Sequence, residues 1–312
     1  MPTLQELADG MPVEGFFAVR EMTLRETRTG TRYIRLILAD ATGTMVANVW
    51  DASEELHQSL TGAEVVKVRA SVETYRNALQ MNVARIRAAA PHEIDRSALV
   101  PETPCDREAL REELRGLVDT ITDEDYLAIC HQFLDDAEWL ESFSQAPAAR
   151  TLHHAYLGGL LEHTVSVMRI ADRYASVTPS VRRDLLLAGA FLHDIGKVSE
   201  LQVATAIDYT DEGTLVGHLI QGLLAIEARI AQLPSFPPEK RNLLYHLVLS
   251  HHGRHEYGSP VLPAVPEAVA LHHLDNLDAK VFAAHKAIDE DTDPTRHWTQ
   301  RSYALDTRVF KG

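Results

Sequence analysis

Five separated stretches of this 312-residue chain set histidine or aspartate within, or at the end of, an apolar helix-like segment. They read GGLLEHTVSV around His163, FLHDIGK around His193 and Asp194, GHLIQG around His218, LSHHGR around His251 and His252, and LHHLDNLDAK around Asp275. Imidazole and carboxylate are the side chains that hold divalent metals in hydrolytic sites. A single buried histidine is more often ordinary packing. Seven ligand-type residues in five such segments instead point to a helical fold whose helix ends converge on cations.

The local setting sharpens this expectation. His163 sits in a helix that must bury one side. Leu185 to Leu192 reads as a buried helix ending at His193-Asp194, after which Gly196 releases the chain. His218 opens a helix behind Gly217, His251-His252 closes another before Gly253, and Asp275 lies in the last long helix, one turn before Asp278. Adjacent histidine and aspartate at a helix end can reach one metal together, and a carboxylate can bridge two. His163, His193, Asp194 and Asp275 form the first set, and His218, His251 and His252 complete a second. Asp194 and Lys197 are the catalytic candidates, Lys197 being placed to neutralise a substrate phosphate. His153, His154, His272 and His273 are expected to pack, or to hydrogen-bond behind the ligands.

Charge divides the chain. Residues 1–90 hold 10 Lys/Arg against 11 Asp/Glu, whereas residues 91–312 hold 20 against 34 and fifteen of the sixteen histidines. The net charge of −15 speaks against a nucleic-acid partner. A neutral module with a local basic face can nevertheless bind phosphates. The length suggests two domains, and the change in chemistry places their junction near Pro91. Cys105 and Cys130 form no CxxC pair, and MPTLQELADG lacks a basic start followed by an apolar block. A cytoplasmic setting is expected. The longest apolar stretch, Leu185 to Leu192, is too short to cross a bilayer, so no membrane partner is expected.

The first region reads as strands at Val13–Met22, Tyr33–Leu38, Thr44–Trp50, Glu64–Tyr75 and Leu79–Ala88, with a turn at 39–43 and a hairpin turn at Arg76-Asn77. A short helix at Ser53–Leu60, capped by Ser53, falls between the third and fourth strands. Five strands with a helix in that place follow the order of an OB-fold barrel. Arg20, Arg25, Arg28, Arg32, Arg35, Arg69, Arg76, Arg85 and Arg87 are interleaved with Phe17, Tyr33, Trp50 and Tyr75. Cations for the backbone and flat rings for the bases are what a single-strand binder needs. Arg32, Tyr33, Arg35, Trp50, Tyr75 and Arg76 are the candidate contacts. Phe16 and Trp50 suit a core equally well, and a purely structural or dimerising barrel is the alternative. Residues 91–150 read as a helical connection, with Asp106 capping a helix to about Thr120 and a second helix from Thr122. From 151 on almost everything reads as helix, broken at Pro179, Gly213, Pro234 to Pro238 and Gly258 to Pro266, before a polar, aromatic tail.

His163, His193-Asp194 and Asp275 resemble the H…HD…D signature of the HD phosphohydrolase superfamily, and His218 with His251-His252 resembles its dinuclear subgroup. Residues 13–310, barrel first and helical part second, resemble the YhaM-type 3′-5′ exoribonucleases. The resemblance is carried by LHDIGK, GHL, LSHHG, GSP (258–260), LDNLDAK and the tail RSYALDTRVF. It implies a multi-domain α+β chain, with a five-stranded OB-fold β-barrel over 1–90 and a helical connection over 91–150. An all-α HD domain over 151–290 and a tail over 291–312 follow. It also implies removal of nucleotides from RNA 3′ ends with two divalent metal ions, manganese first, with iron, cobalt or magnesium as alternatives. On this resemblance metal one takes His163, His193, Asp194 and Asp275. Metal two takes Asp194 as bridge, with His218, His251 and His252.

Three further residues have two readings each. Arg254 either touches a neighbouring phosphate or is a solvated surface arginine. Asp278 and Lys280 form either a supporting pair around the last ligand or a plain surface salt bridge. The expected function is hydrolysis at the 3′ end of single-stranded RNA, with single-stranded DNA as a further substrate and a homo-oligomer compatible with the chain. The alternatives are a phosphodiesterase or phosphatase for small nucleotides, which has little use for a strand-binding barrel, and a non-catalytic nucleic-acid-binding regulator, which has no use for a full ligand set.

Overall fold

β1 (Pro12–Glu26), β2 (Arg32–Asp40), β3 (Gly43–Val49), β4 (Val65–Tyr75) and β5 (Ala78–Ala88) close into a barrel in the order β1-β2-β3-β5-β4. Neighbouring strands run antiparallel except β3 and β5, which are parallel. The computed structural model describes residues 2–27, 29–76, 78–95, 98–151, 153–291, 293 and 295–312. Arg28 and Asn77 lie outside the described residues. Alternation sets the barrel: Ile34, Leu36 and Leu38 of β2 face inward and are fully buried, while Tyr33, Arg35 and Ile37 face outward. Between β3 and β4 runs α1 (Glu54–Leu60), opened by Ser53, whose hydroxyl accepts the Leu56 amide at 3.1 Å. Five strands in this order with that helix make an OB-fold barrel.

The chain divides into two compact units, residues 1–102 with 203–206, and residues 103–202 with 207–312. In the second, α2 (Arg107–Asp119), α3 (Glu124–Leu134) and α4 (Ala137–Gln145) are each opened by an aspartate, Asp106, Asp123 and Asp136, which accepts amides of the first turn. α5 (Gly159–Val177) and α6 (Arg183–Leu192) are central. Every residue from Leu185 to Leu192 is buried, as an all-apolar helix at the centre of a packed unit must be. Phe191 of α6 meets Phe133 and Trp139 edge-on at 6.4 and 6.3 Å between ring centroids. Beyond the His193-Asp194 turn follow α7 (Lys197–Glu200), β6 (Leu201–Val203), β7 (Ile207–Tyr209) and α8 (Asp211–Val216). α9 (His218–Ile230), α10 (Pro238–Ser250) and α11 (Pro266–Asp289) complete the unit. The start of α6 is tied to the first turn of α11, because the Glu267 carboxylate accepts the Arg182 amide at 2.7 Å and its guanidinium at 2.8 Å.

As expected, almost everything after 151 is helical; among the described residues only β6 and β7 pair as a short two-stranded sheet. Two expectations need correction. Gly213 does not break a helix but lies inside α8. It is needed for close packing, because a Cβ there would lie 2.2 Å from the Glu200 carbonyl oxygen. The break falls at Gly217, whose φ of +78° suits glycine. Phe17 is 3% exposed within the barrel core, so its ring cannot meet a strand. Among the described residues no helix is long and apolar enough to cross a membrane.

Candidate metal centre and strand-binding face

Seven ligand-type residues reach the centre from five different helices. His163 comes from the second turn of α5, His193 and Asp194 from the end of α6, and His218 from the first residue of α9. His251 and His252 follow the end of α10, and Asp275 comes from the middle of α11. Close backbone approach makes this convergence possible. A Cβ at Gly196 would lie 2.0 Å from the His218 carbonyl oxygen, so the bare glycine is what lets the His-Asp turn touch the start of α9. Gly253, at φ +78°, lies against the ring of His272, and His272 Nδ1 is 2.8 Å from the His251 carbonyl.

The ring nitrogens follow one rule. Nδ1 of His163 is 2.8 Å from Asp278, and that of His218 is 2.9 Å from Glu200. Nδ1 of His193, His251 and His252 lies 2.8 Å from the carbonyls of Ala190, Val248 and Tyr257 respectively. With Nδ1 of each ring engaged as a donor, Nε2 is the nitrogen left free to meet a metal, the arrangement of known metal sites. His163 Nε2 lies 3.3 Å from His193 Nε2 and 3.2 Å from Asp275 Oδ1. Asp194 faces both ways. Its Oδ2 is 3.3 Å from His193 Nε2 and 3.7 Å from His163 Nε2, and its Oδ1 is 3.6 and 3.5 Å from Nε2 of His218 and His251.

The donor set fits divalent cations. His163, His193 and Asp275, then His193, Asp194 and His251, then His218, His251 and His252 each offer ligand atoms within 4.8 Å of one another. Ligands about 2.1 Å from a common ion lie roughly 3 to 4 Å apart. Asp194 Oδ1 and His218 Nε2 are buried without a hydrogen-bond partner, which is costly unless something else satisfies them. Divalent-metal binding is thus the chemistry of this centre.

Electrostatics agree. Burial disfavours the Asp194 carboxylate, but the charges of Lys197 and His193 outweigh it and hold the group well below the usual carboxylate range. Lys197, 8% exposed, places its ammonium 2.5 Å from Asp194 Oδ2. Burial likewise opposes the His163 imidazolium, but its hydrogen bonds to Asp275 and Asp278 prevail and raise it to about 9. A cation held by His163 would therefore have to displace a proton from it. Burial, reinforced by neighbouring positive charge, pushes His252 and His153 down to about 3, leaving their rings neutral.

The Asp278–Lys280 pairing is not present. The Asp278 carboxylate instead receives His163, His154 at 3.1 Å and the Ser166 hydroxyl, while Lys280 donates to the carbonyl of Ala304. Asp278 points inward because it shares the face of α11 that carries Asp275, whereas Lys280, two residues on, is exposed and lines the pocket that opens on Asp194 and Asp275. Arg254 lies over the Tyr257 ring at 5.8 Å. The pocket that opens on Asp194, Lys197, His251, His252 and Asp275 is lined by Tyr257 and Tyr303 as well. Glu200 and Tyr303 escaped the sequence reading. Glu200 pairs with His218 across 18 positions, and no motif marks a tail tyrosine as lining a pocket. Replacing Asp278 with asparagine is expected to weaken manganese binding about 10- to 100-fold by removing the partner that aims His163. Calorimetric titration giving the wild-type affinity would refute this role.

On the barrel, Tyr33 and Trp50 contact each other at 4.9 Å between centroids, and Trp50 is 44% exposed. Arg35 lies two residues along β2 on the same outer face as Tyr33, and pairs across to Asn48 of β3. Arg32 is held by Glu54 at 3.0 Å. Tyr75 and Arg76 form a separate pair at the β4–β5 turn, with the guanidinium 5.3 Å from the ring centroid. Phe16 is half-buried beneath Lys67.

Residues 160–280 match the HD domain family. The chain is 35% identical over 304 residues to the 3′-5′ exoribonuclease YhaM of Geobacillus sp. (strain WCH70), covering 96% of this chain and 92% of that protein. Among solved structures, the second OB-fold domain of replication protein A from Methanococcus maripaludis is 16% identical, with a TM-score of 0.24. That match spans 28% of this chain and 92% of the solved one.

Proposed function

The chain belongs to the YhaM family of 3′-5′ exoribonucleases, and from that premise we propose that it shortens single-stranded RNA from the 3′ end with two divalent cations held in its helical unit. It is a metal-dependent hydrolase of the HD superfamily. The observation that carries the two-cation reading is Asp194, whose two oxygens face different histidine sets. His163, His193 and Asp275 would hold one ion with Asp194 Oδ2, and His218, His251 and His252 the other with Asp194 Oδ1. When bound, two such ions would supply a lowered pKa for the attacking water and charge neutralisation on the phosphoryl oxygens. Five imidazoles with two carboxylates suit manganese, iron or cobalt ahead of magnesium, which prefers all-oxygen ligands.

The chain's own groups do the rest. Contacts at Nδ1 fix the ring orientation of the five histidines before substrate arrives. Lys197, kept charged by Asp194, offers a fixed positive charge at the pocket floor to a phosphoryl oxygen. In the barrel unit, Tyr33 and Trp50 give bases a stacking surface, with Tyr75 as a further ring, and Arg32, Arg35 and Arg76 meet the sugar-phosphate backbone. Arg254, covering Tyr257, serves a phosphate near the pocket. Single-stranded DNA is accepted wherever contacts avoid the 2′-hydroxyl. Two free cysteines, Cys105 exposed and Cys130 buried, suit a reducing cytoplasm.

Incubation of 5′-labelled RNA oligomers with the protein and Mn²⁺ tests the reading. A ladder retreating from the 3′ end, with release of mononucleotides, is expected. Internal cuts, or a ladder shortening from the 5′ end, would overturn it.

A further inference from the structure

The C-terminal tail carries an aromatic ring that the metal chemistry does not use. Tyr303 is 94% exposed, yet it lines the pocket that opens on Asp194 and Asp275. Among the described residues its ring meets no other ring or cation, and its hydroxyl makes no hydrogen bond. The tail that presents it is held in place. Ser302 and Thr307 bridge across the turn, with the Ser302 amide 2.8 Å from the Thr307 carbonyl, and Arg301 pairs with Asp306 at 2.6 Å. Farther out, Thr299 donates to the Val309 carbonyl at 2.9 Å, and Lys311 pairs with Asp291 at 3.0 Å. Lys280, on the helix that supplies Asp275, donates to the carbonyl of Ala304, the residue after the ring.

A large ring kept almost wholly in water at the tip of a fixed turn forfeits the apolar burial it would gain elsewhere. That arrangement makes sense if a flat partner covers the ring during turnover. The partner is constrained by position. Tyr303 borders two recesses, the metal pocket on one side and a polar groove with Lys286, Gln300 and Arg301 on the other, and Ala283 and Ala304 are shared between them. A strand whose terminal phosphodiester lies at the metals would leave the pocket past this ring.

We infer that Tyr303 is a substrate-binding residue that stacks on an unpaired base next to the scissile phosphate. The inference rests on the exoribonuclease reading. A base in a duplex is already stacked and cannot take up this ring, so Tyr303 would also favour single strands over paired ends. Tyr257, 61% exposed on the same pocket, is the second ring available, although Arg254 already covers one face of it.

The test uses the full chain with Mn²⁺ and 5′-labelled RNA oligomers, either intact or lacking the base at one of the last three positions. Y303A should raise KM for intact RNA roughly ten-fold, with the loss falling on KM and not on kcat, and Y303F should restore it. Removing the base at the stacked position should raise KM for the wild type by a similar factor but add little for Y303A. Equal KM values for Y303A and wild type, or a base-removal penalty as large in Y303A as in wild type at all three positions, would overturn the inference. Failure of the wild type to shorten any RNA from its 3′ end is a separate outcome and would remove the functional reading itself.

Discussion

Asp194→Asn is expected to lower kcat for RNA hydrolysis by at least about 10³-fold while leaving RNA affinity within a few-fold of wild type. Among the described residues the Asp194 carboxylate is the group whose two oxygens address both histidine sets, so on the two-cation proposal its loss would remove a ligand from each ion at once. Strand affinity should survive, because the exposed rings and arginines of the barrel lie in the other unit. Asparagine is the better replacement on physical grounds. Alanine would leave a cavity and a buried Lys197 ammonium, and stranding one member of a buried pair costs about 3–5 kcal/mol. The amide keeps the shape, and Lys197 can shed its proton. Product release from labelled RNA and fluorescence anisotropy of a labelled strand, measured on the same preparation, check the two halves. Loss of binding together with hydrolysis, in a protein that still melts cooperatively, would mean that strand affinity is not held separately from the metal centre.

Stripping divalent ions with a chelator should abolish activity and also lower the melting temperature of the helical unit. Without cations the centre keeps Asp194 Oδ1 and His218 Nε2 buried and unpartnered, and relies on protonated His163 and Lys197 for positive charge. Ions present at about 100 times their dissociation constant stabilise the folded state by about 2.7 kcal/mol. For a domain of this size, where 1 kcal/mol shifts the transition by about 2–4 °C, the expected fall is roughly 5–10 °C. Manganese should restore both melting temperature and activity, and magnesium should restore less of each. Differential scanning calorimetry with and without chelator reads the effect. An unchanged transition, with no metal detected in the untreated protein by elemental analysis, would remove the cations from the account.

Much of the helical unit was legible because its signals are chemical as well as periodic. Leu185 to Leu192 offers no polar face, so it had to be a buried helix, and the His-Asp pair that ends it had to lie in the interior. Ser53, Asp106 and the glycine before His218 carry local instructions that need no distant partner. The barrel was readable for the same reason: Ile34, Leu36 and Leu38 alternate with Tyr33, Arg35 and Ile37, and a period of two admits one buried face. Phe16 and Phe17 were harder, because adjacent aromatics in β1 let either ring turn inward until the pairing with β4 set the register. The hairpin of β6 and β7 was missed because strands of three residues are too short to show a period.

The residue types, their helix-end positions and the strand order were written locally, since each depends on neighbours within a turn or two of chain. Which nitrogen of each histidine faces the centre, that Asp278 serves His163 and not Lys280, and that a tail tyrosine lines the metal pocket were set only by tertiary structure. The reason is distance along the chain. Asp278 meets His163 across 115 positions, and Gly196 must touch the start of α9 before His218 can reach Asp194. Contacts of that kind arise from the packing of whole helices, and no local spacing encodes them.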